Sequence, residues 1–294
     1  MVEMPSLVDM LKSGAHFGHK KSKRHPKMAP FIFTTKDAIS IIDLEKTVEY
    51  LKTALEFVEG VARAGGTVLF VGVKNQGKEI IKEKALACGM PYVNSRWLGG
   101  TLTNFVIIGK MIKKYKKLKD SIEKGEFAKY TKKEQLDISR EVDELEGLIG
   151  GISTLTKLPE AIFILDLKKD KTAFAEAMRK KVQIVALCDT NVNPENVQYP
   201  IPANDDAVKS ITLFVSLLTD AVNQGKEKRV VDLEKQFAQQ AVDKEKQAAA
   251  IIAEKKIQAD KAAAAEKVAI EKAANAKKES EAKAEKPVKE TPKE

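Results

Sequence analysis

The stretch Thr67-Val68-Leu69-Phe70-Val71 constrains this chain more than any other, because from Val68 on it is apolar without a break where a half-exposed strand would alternate. Such a run predicts a strand covered on both faces, the environment of a central strand in a parallel sheet. Helical periodicity flanks it. Before it, Leu44, Val48, Leu51, Leu55, Val58 and Ala62 recur at steps of four and three, with Asp43 placed to cap the helix and Ala64-Gly65-Gly66 to end it. After it, Gly72 to Gly77 turns into a second helix reaching Ala87.

The same alternation recurs downstream. Ala161 to Leu165 is a strand, Thr172 to Lys181 a helix and Val182 to Leu187 a strand. Val208, Ile211, Val215, Leu218 and Val222 mark a closing helix behind Asn204. Pro91-Tyr92-Val93 supplies a shorter strand, and Phe31 to Phe33 and Ile39 to Ile42 are of strand length. Repeated strand-helix units predict an α/β fold with a doubly wound parallel sheet, which places ligands at the carboxyl ends of its strands.

Two stretches break the pattern. Ile108, Met111, Tyr115, Leu118 and Ile122 face Ile138, Val142, Leu145 and Ile149 across a turn at Glu123 to Tyr130, predicting an inserted antiparallel hairpin with a coiled-coil-like seam over 107–150. Ala15 to Lys27, with Gly18, Pro26 and five basic residues, predicts an exposed loop ending a short helix around Leu7 to Leu11. The α/β body then comprises 1–106 and 151–224. From 225 to 294 the chain is rich in Ala, Lys and Glu, which favours solvated helix or disorder.

The net charge of +9 favours a polyanionic partner, and its distribution says where. Met10 to Lys36 holds seven Lys or Arg and no acid, whereas Gly225 to Glu294 sets seventeen bases against fourteen acids. Cys88 and Cys188 lie in apolar surroundings, as reduced core thiols do. No run approaches the roughly 18 apolar residues of a membrane span, so a soluble cytoplasmic protein is expected.

Gly72-Val73-Lys74-Asn75-Gln76-Gly77-Lys78 has the spacing of a phosphate-binding loop, but Glu79 follows where a hydroxyl should hold magnesium. A nucleotide site, a phosphate contact through Lys74, Asn75 and Lys78, and a plain turn remain open readings. His16, His19 and His25 suggest zinc, yet Lys20, Lys21, Lys23 and Arg24 oppose a dication, and contact with nucleic acid by the basic loop is favoured. Asp166, Asp170 and Asp189 follow strands, where turn caps and catalytic acids both occur. No nucleophile elbow accompanies them. Lys110, Lys113, Lys114, Lys116, Lys117 and Lys119 form a basic run on the first hairpin arm, either solvated or laid along RNA or a partner protein.

The order of several motifs resembles a known family. They are Gly14-Ala15-His16-Phe17-Gly18-His19, His25-Pro26-Lys27-Met28, Ile41-Ile42-Asp43-Leu44-Glu45-Lys46-Thr47, Phe70-Val71-Gly72-Val73-Lys74-Asn75-Gln76, Arg96-Trp97-Leu98-Gly99-Gly100-Thr101-Leu102-Thr103-Asn104-Phe105, Pro159-Glu160-Ala161 and Cys188-Asp189-Thr190-Asn191. Together they are similar to bacterial small-subunit ribosomal protein two, the universal uS-two family, over Met4 to Asn223. Lys180-Lys181-Val182-Gln183 departs from the glycine- and proline-containing approach usual there.

The resemblance implies a flavodoxin-like body with an inserted hairpin, bound to small-subunit ribosomal RNA near the neck, with no catalytic activity and no cofactor. It implies neighbouring ribosomal proteins as partners, including the large messenger-binding protein, and neither a membrane nor self-association. Lys20, Lys21, Lys23, Arg24, His25, Lys27, Lys74, Asn75, Lys78, Arg96, Asn104 and Lys113 are the expected RNA contacts. Trp97 and Leu98 are expected to anchor the hairpin on the sheet.

Overall fold

The computed structural model describes residues 3–237 and 239–240, with Ala128 as backbone only. The expectation for the tail beyond 240 lies outside the described residues. The chain divides into two compact units, Met1–Val231 and Asp232–Glu294, and in the second the described residues are helical.

The first unit is built on five parallel strands, β4 (Val68–Val71), β5 (Tyr92–Val93), β6 (Ala161–Ile164), β7 (Gln183–Cys188) and β8 (Tyr199–Pro202). Their spatial order is β5-β4-β6-β7-β8, so the first of the five in sequence lies second in the sheet. That 2-1-3-4-5 order is the flavodoxin-like one. Every residue of β4 and β6 is fully buried, as their unbroken apolar character requires.

Successive residues feed opposite cores. Phe70, Phe163, Val185 and Leu187 pack with α2 (Leu44–Arg63), α3 (Lys78–Ala87) and a closing helix α7 (208–231) through Leu51, Val58, Ile81, Phe214 and Leu218. Leu69, Ile162, Ile164 and Ile184 meet α6 (Lys171–Lys180), Trp97 and the hairpin root on the other face. Asp43 caps α2 as expected, its carboxylate accepting from the Glu45 N–H at 3.1 Å.

Strand β8 is absent from the sequence reading because Tyr-Pro-Ile-Pro looks like a strand breaker. It is an edge strand, and an edge tolerates proline where the missing N–H would face outward. The next residue, Ala203, resumes the ladder by donating to the Cys188 carbonyl at 3.3 Å.

The segment expected as a loop is partly sheet. After α1 (Leu7–Ser13), β1 (Phe17–Lys20) pairs antiparallel with β3 (Ile39–Ile42), which also pairs β2 (Ile32–Lys36). Three strands in the order β1-β3-β2 form a separate small sheet, so β3 and α2 do not make a unit of the parallel sheet. The charge of Phe17-Gly18-His19-Lys20 hides the strand, whose pairing is backbone work. Gly18 is required there. A Cβ would lie 2.5 Å from Thr190 Cγ2, and Thr190 holds β1 by accepting from the His19 N–H at 2.8 Å.

The hairpin consists of α4 (Phe105–Glu123) and α5 (Lys132–Ile149). Thr131 and Glu134 close a reciprocal capping box at the start of α5, and Gly125 takes the left-handed conformation at the turn. Ile108, Ile112, Tyr115, Val142 and Ile149 are buried, whereas Ile122 and Leu136 near the tip are exposed. The seam thus tapers away from the body.

A carboxylate absent from the sequence reading fixes the hairpin root. Glu176 of α6 is buried and accepts five hydrogen bonds. Its Oε1 accepts from Trp97 Nε1 (3.1 Å) and the Gly100 N–H (2.7 Å), and its Oε2 from the Leu102 N–H (2.9 Å), the Thr103 N–H (3.0 Å) and Thr103 Oγ1 (3.1 Å). Trp97 is buried in the core beneath the hairpin, as an anchor should be. Gly100, at φ +94, supplies the turn that aims these donors at one point.

Candidate nucleic-acid interface and the carboxylate cluster beside it

Backbone pairing with β3 ends at Lys20, and a short 3-10 turn over Lys21–Lys23 projects the next side chains outward. Lys20, Lys21 and Lys23 are exposed and Arg24 is half-buried. Among the described residues none of the four has a salt bridge, although Lys23 is near enough to Asp206 to help hold its carboxyl down. Lys27 instead pairs with Glu195. His25 Nδ1 accepts from the Lys27 N–H at 3.2 Å and is committed to the local turn.

Lys74 corrects an expectation. Its side chain is buried, and its ammonium lies 2.6 Å from Asp206, 2.8 Å from Asp205 and 3.5 Å from Asp166. Burial alone would lower its pKa, but these carboxylates raise it well above the ordinary lysine value. The charge is therefore permanent and spent inside the protein, not offered to a phosphate.

The loop around it is no nucleotide cradle either. The Gly77 and Lys78 N–H groups donate to the Lys74 carbonyl at 2.9 and 3.0 Å, whereas a phosphate loop leaves such donors free. Asn75 is exposed and Lys78 half-buried at the start of α3.

Asp166 follows β6, Asp189 follows β7 and Asp205 follows β8, so the carboxyl ends of three adjacent strands converge on Lys74 and His19. Asp166 Oδ1 accepts from the Lys168 and Lys169 N–H groups at 2.8 and 3.0 Å, a turn cap as expected. Asp205 is pushed up from its ordinary pKa, first by burial and then by Asp166 and Asp189. Asp206, half in solvent, is held down by Lys74 against the opposing effect of burial.

His19 Nδ1 sits 3.0 Å from Asp189 Oδ2 and Nε2 sits 3.6 Å from Asp206 Oδ2. The hydrogen bond to Asp189 raises the His19 pKa despite partial burial. One ligand atom from each of His19, Asp189, Asp205 and Asp206 lies within 4.8 Å of the others, a spacing able to hold a divalent cation. Of the three histidines read as a possible zinc set, only His19 enters such a group among the described residues. The signal was hard to find, because three of its four members come from the ends of separated strands.

Arg96, Asn104 and Lys113 are exposed, on the approach to the hairpin and on its first arm. Asn104 precedes α4 but makes no side-chain cap bond. These three do not join the Lys20 to Arg24 group in one continuous element. Around α1 lies a surface of opposite character. Leu7, Leu11 and Phe33, the last 75% exposed, border a cavity of about 360 Å³ floored by Ile41 and Ile42.

Residues 10–225 match the family model described as Ribosomal protein S2. The chain is 44% identical over 238 residues to "Small ribosomal subunit protein uS2" of a Nitratiruptor species, covering 81% of this chain and 89% of that one. It is 46% identical over 224 residues to the protein so named in Amoebophilus asiaticus, covering 76% and 72%. A third, from Coprothermobacter proteolyticus, is 45% identical over 235 residues, covering 79% and 88%.

Proposed function

This chain belongs to the ribosomal protein S2 family, and on that premise we propose that it binds small-subunit ribosomal RNA chiefly through Lys20, Lys21, Lys23 and Arg24. Membership makes it a structural constituent of the small ribosomal subunit and not an enzyme. The observation that carries the RNA reading is a compact run of four cations that make no salt bridge among the described residues. Such cations release counterions when they meet phosphates, which fixes position without reading sequence. Asn75, Lys78, Arg96, Asn104 and Lys113 supply secondary contacts. Lys74 acts beneath this surface by neutralising the acids that would otherwise repel RNA.

The exposed apolar rim of Leu7, Leu11 and Phe33 serves a neighbouring ribosomal protein, the large messenger-binding protein among the candidates. Such a patch is costly to leave in water.

The test is a salt titration of RNA binding. Replacing Lys21, Lys23 and Arg24 by glutamine should weaken binding to small-subunit RNA and reduce the slope of log affinity against log salt by about two to three units. An unchanged slope overturns the assignment.

A further inference from the structure

A cavity of about 440 Å³ lies between the start of α3 and the root of the hairpin. Lys78 and Lys82 border it from α3, Tyr92 and Asn94 from β5 and its exit, and Lys119 and Glu146 from the two hairpin arms. Three ammonium groups thus face one carboxylate. Glu146 lies 3.8 Å from Lys119, and among the described residues Lys78 and Lys82 have no salt bridge. They stand one helical turn apart, on one face of α3.

The aromatic wall is held rigidly. A Cβ on Gly151 would lie 2.3 Å from the Tyr92 carbonyl and 2.9 Å from its ring, so the glycine lets the hairpin root close against Tyr92. Ser95 donates to the Gly147 carbonyl and ties the β5 exit to α5. Two free cations, a fixed aromatic ring and an amide with donors and acceptors form a set suited to a nucleotide. The volume is that of a small-molecule site, about 300–1,000 Å³, and exceeds the needs of a bare phosphate.

We propose that this cavity takes one unpaired nucleotide of an RNA strand, its phosphate between Lys78 and Lys82 and its base against Tyr92 and Asn94. The inference rests on the RNA-binding reading above and adds a strand preference to it. Stacking needs a base free of its helix, so single strands should bind here and duplexes should not.

The experiment uses the full chain with labelled hexauridylate, hexaadenylate and a blunt twelve-pair RNA duplex as probes. The Lys78→Gln/Lys82→Gln variant should lose at least tenfold affinity for both single strands but less than threefold for the duplex. Asn94→Leu should also weaken single-strand binding with no loss of folding cooperativity. A hexamer carrying 4-thiouridine should crosslink to the peptide holding Tyr92. Equal losses on single strand and duplex, or no crosslink at that peptide, overturn the cavity while leaving RNA binding by Lys20 to Arg24 intact. Failure of the unaltered protein to bind any of the probes at low salt overturns both readings.

Discussion

Replacing Glu176 by glutamine should loosen the hairpin root at a calculable cost. The carboxylate accepts five hydrogen bonds, two on Oε1 and three on Oε2. Glutamine keeps one acceptor and points an NH₂ at the remaining donors. With its carbonyl toward Trp97 and Gly100, the Leu102 and Thr103 N–H groups lose their partner, and Thr103 Oγ1 can rotate to recover a bond. Two charge-assisted bonds lost in a buried site give about 3–5 kcal/mol.

Urea unfolding followed by far-ultraviolet circular dichroism measures the loss, and Trp97, the sole tryptophan, reports locally by fluorescence. Burial alone would raise the Glu176 pKa, but bonds from Thr103, Gly100, Trp97 and Leu102 outweigh it and hold the carboxyl below its ordinary value. Its stabilisation is therefore present above the ordinary glutamate pKa and lost as pH falls through the depressed one. The gap between the two proteins should accordingly shrink in acid. A loss below 1 kcal/mol at pH 7, with Trp97 emission unchanged, would refute the reasoning.

Asp170 is buried, and its pKa is pushed up to about 7, first by burial and then by Asp166. A raised carboxyl favours the fold when protonated, so stability falls between about pH 4 and 7; Asp170→Asn should gain about 2–4 kcal/mol at pH 8 and little at pH 4, and a less stable variant at pH 8 contradicts this. Lys74→Met leaves three carboxylates facing one another and should cost about 3–5 kcal/mol at pH 8 in denaturant titrations, less at pH 5 where the acids take up protons. An equal cost at both values would sink that account. Lys181 caps α6 at φ +57, so Lys181→Gly should raise the melting midpoint, by about 0.5–1 kcal/mol of stability, and a loss of that size would rule out backbone strain there.

The parallel body was legible because strands such as Val68 to Val71 and helices such as α2 carry their burial in periodicity. Lys181 hides the opposite kind of feature, since it holds a left-handed geometry, φ +57, that glycine would adopt freely and that nothing in a lysine announces. The small sheet was not legible, since β1 pairs through backbone and its side chains are Phe, Gly, His and Lys. Strand β8 hid behind two prolines. With β8 unseen, Asp205 and Asp206 had no strand end to occupy, and the cluster around His19 and Lys74 could not be assembled. Lys74 gives no local sign of its burial, because its carboxylate partners Asp166, Asp205 and Asp206 lie more than ninety residues away. Glu176 sits on a helix where a glutamate ordinarily faces water.

The hairpin has a consequence for how the chain is made. It interrupts the sheet between β5 and β6, yet β6 is the inner neighbour of β4, and Thr67 meets Glu160 across 93 residues. Until synthesis passes that point, β4 can pair only on its β5 side and its other apolar edge stays open. A long-range pairing of this kind is slow to close and vulnerable while it waits. The hairpin, whose contacts are local, can form in that interval and carry β6 back toward β4. The order of translation would then favour a helical scaffold before a finished sheet.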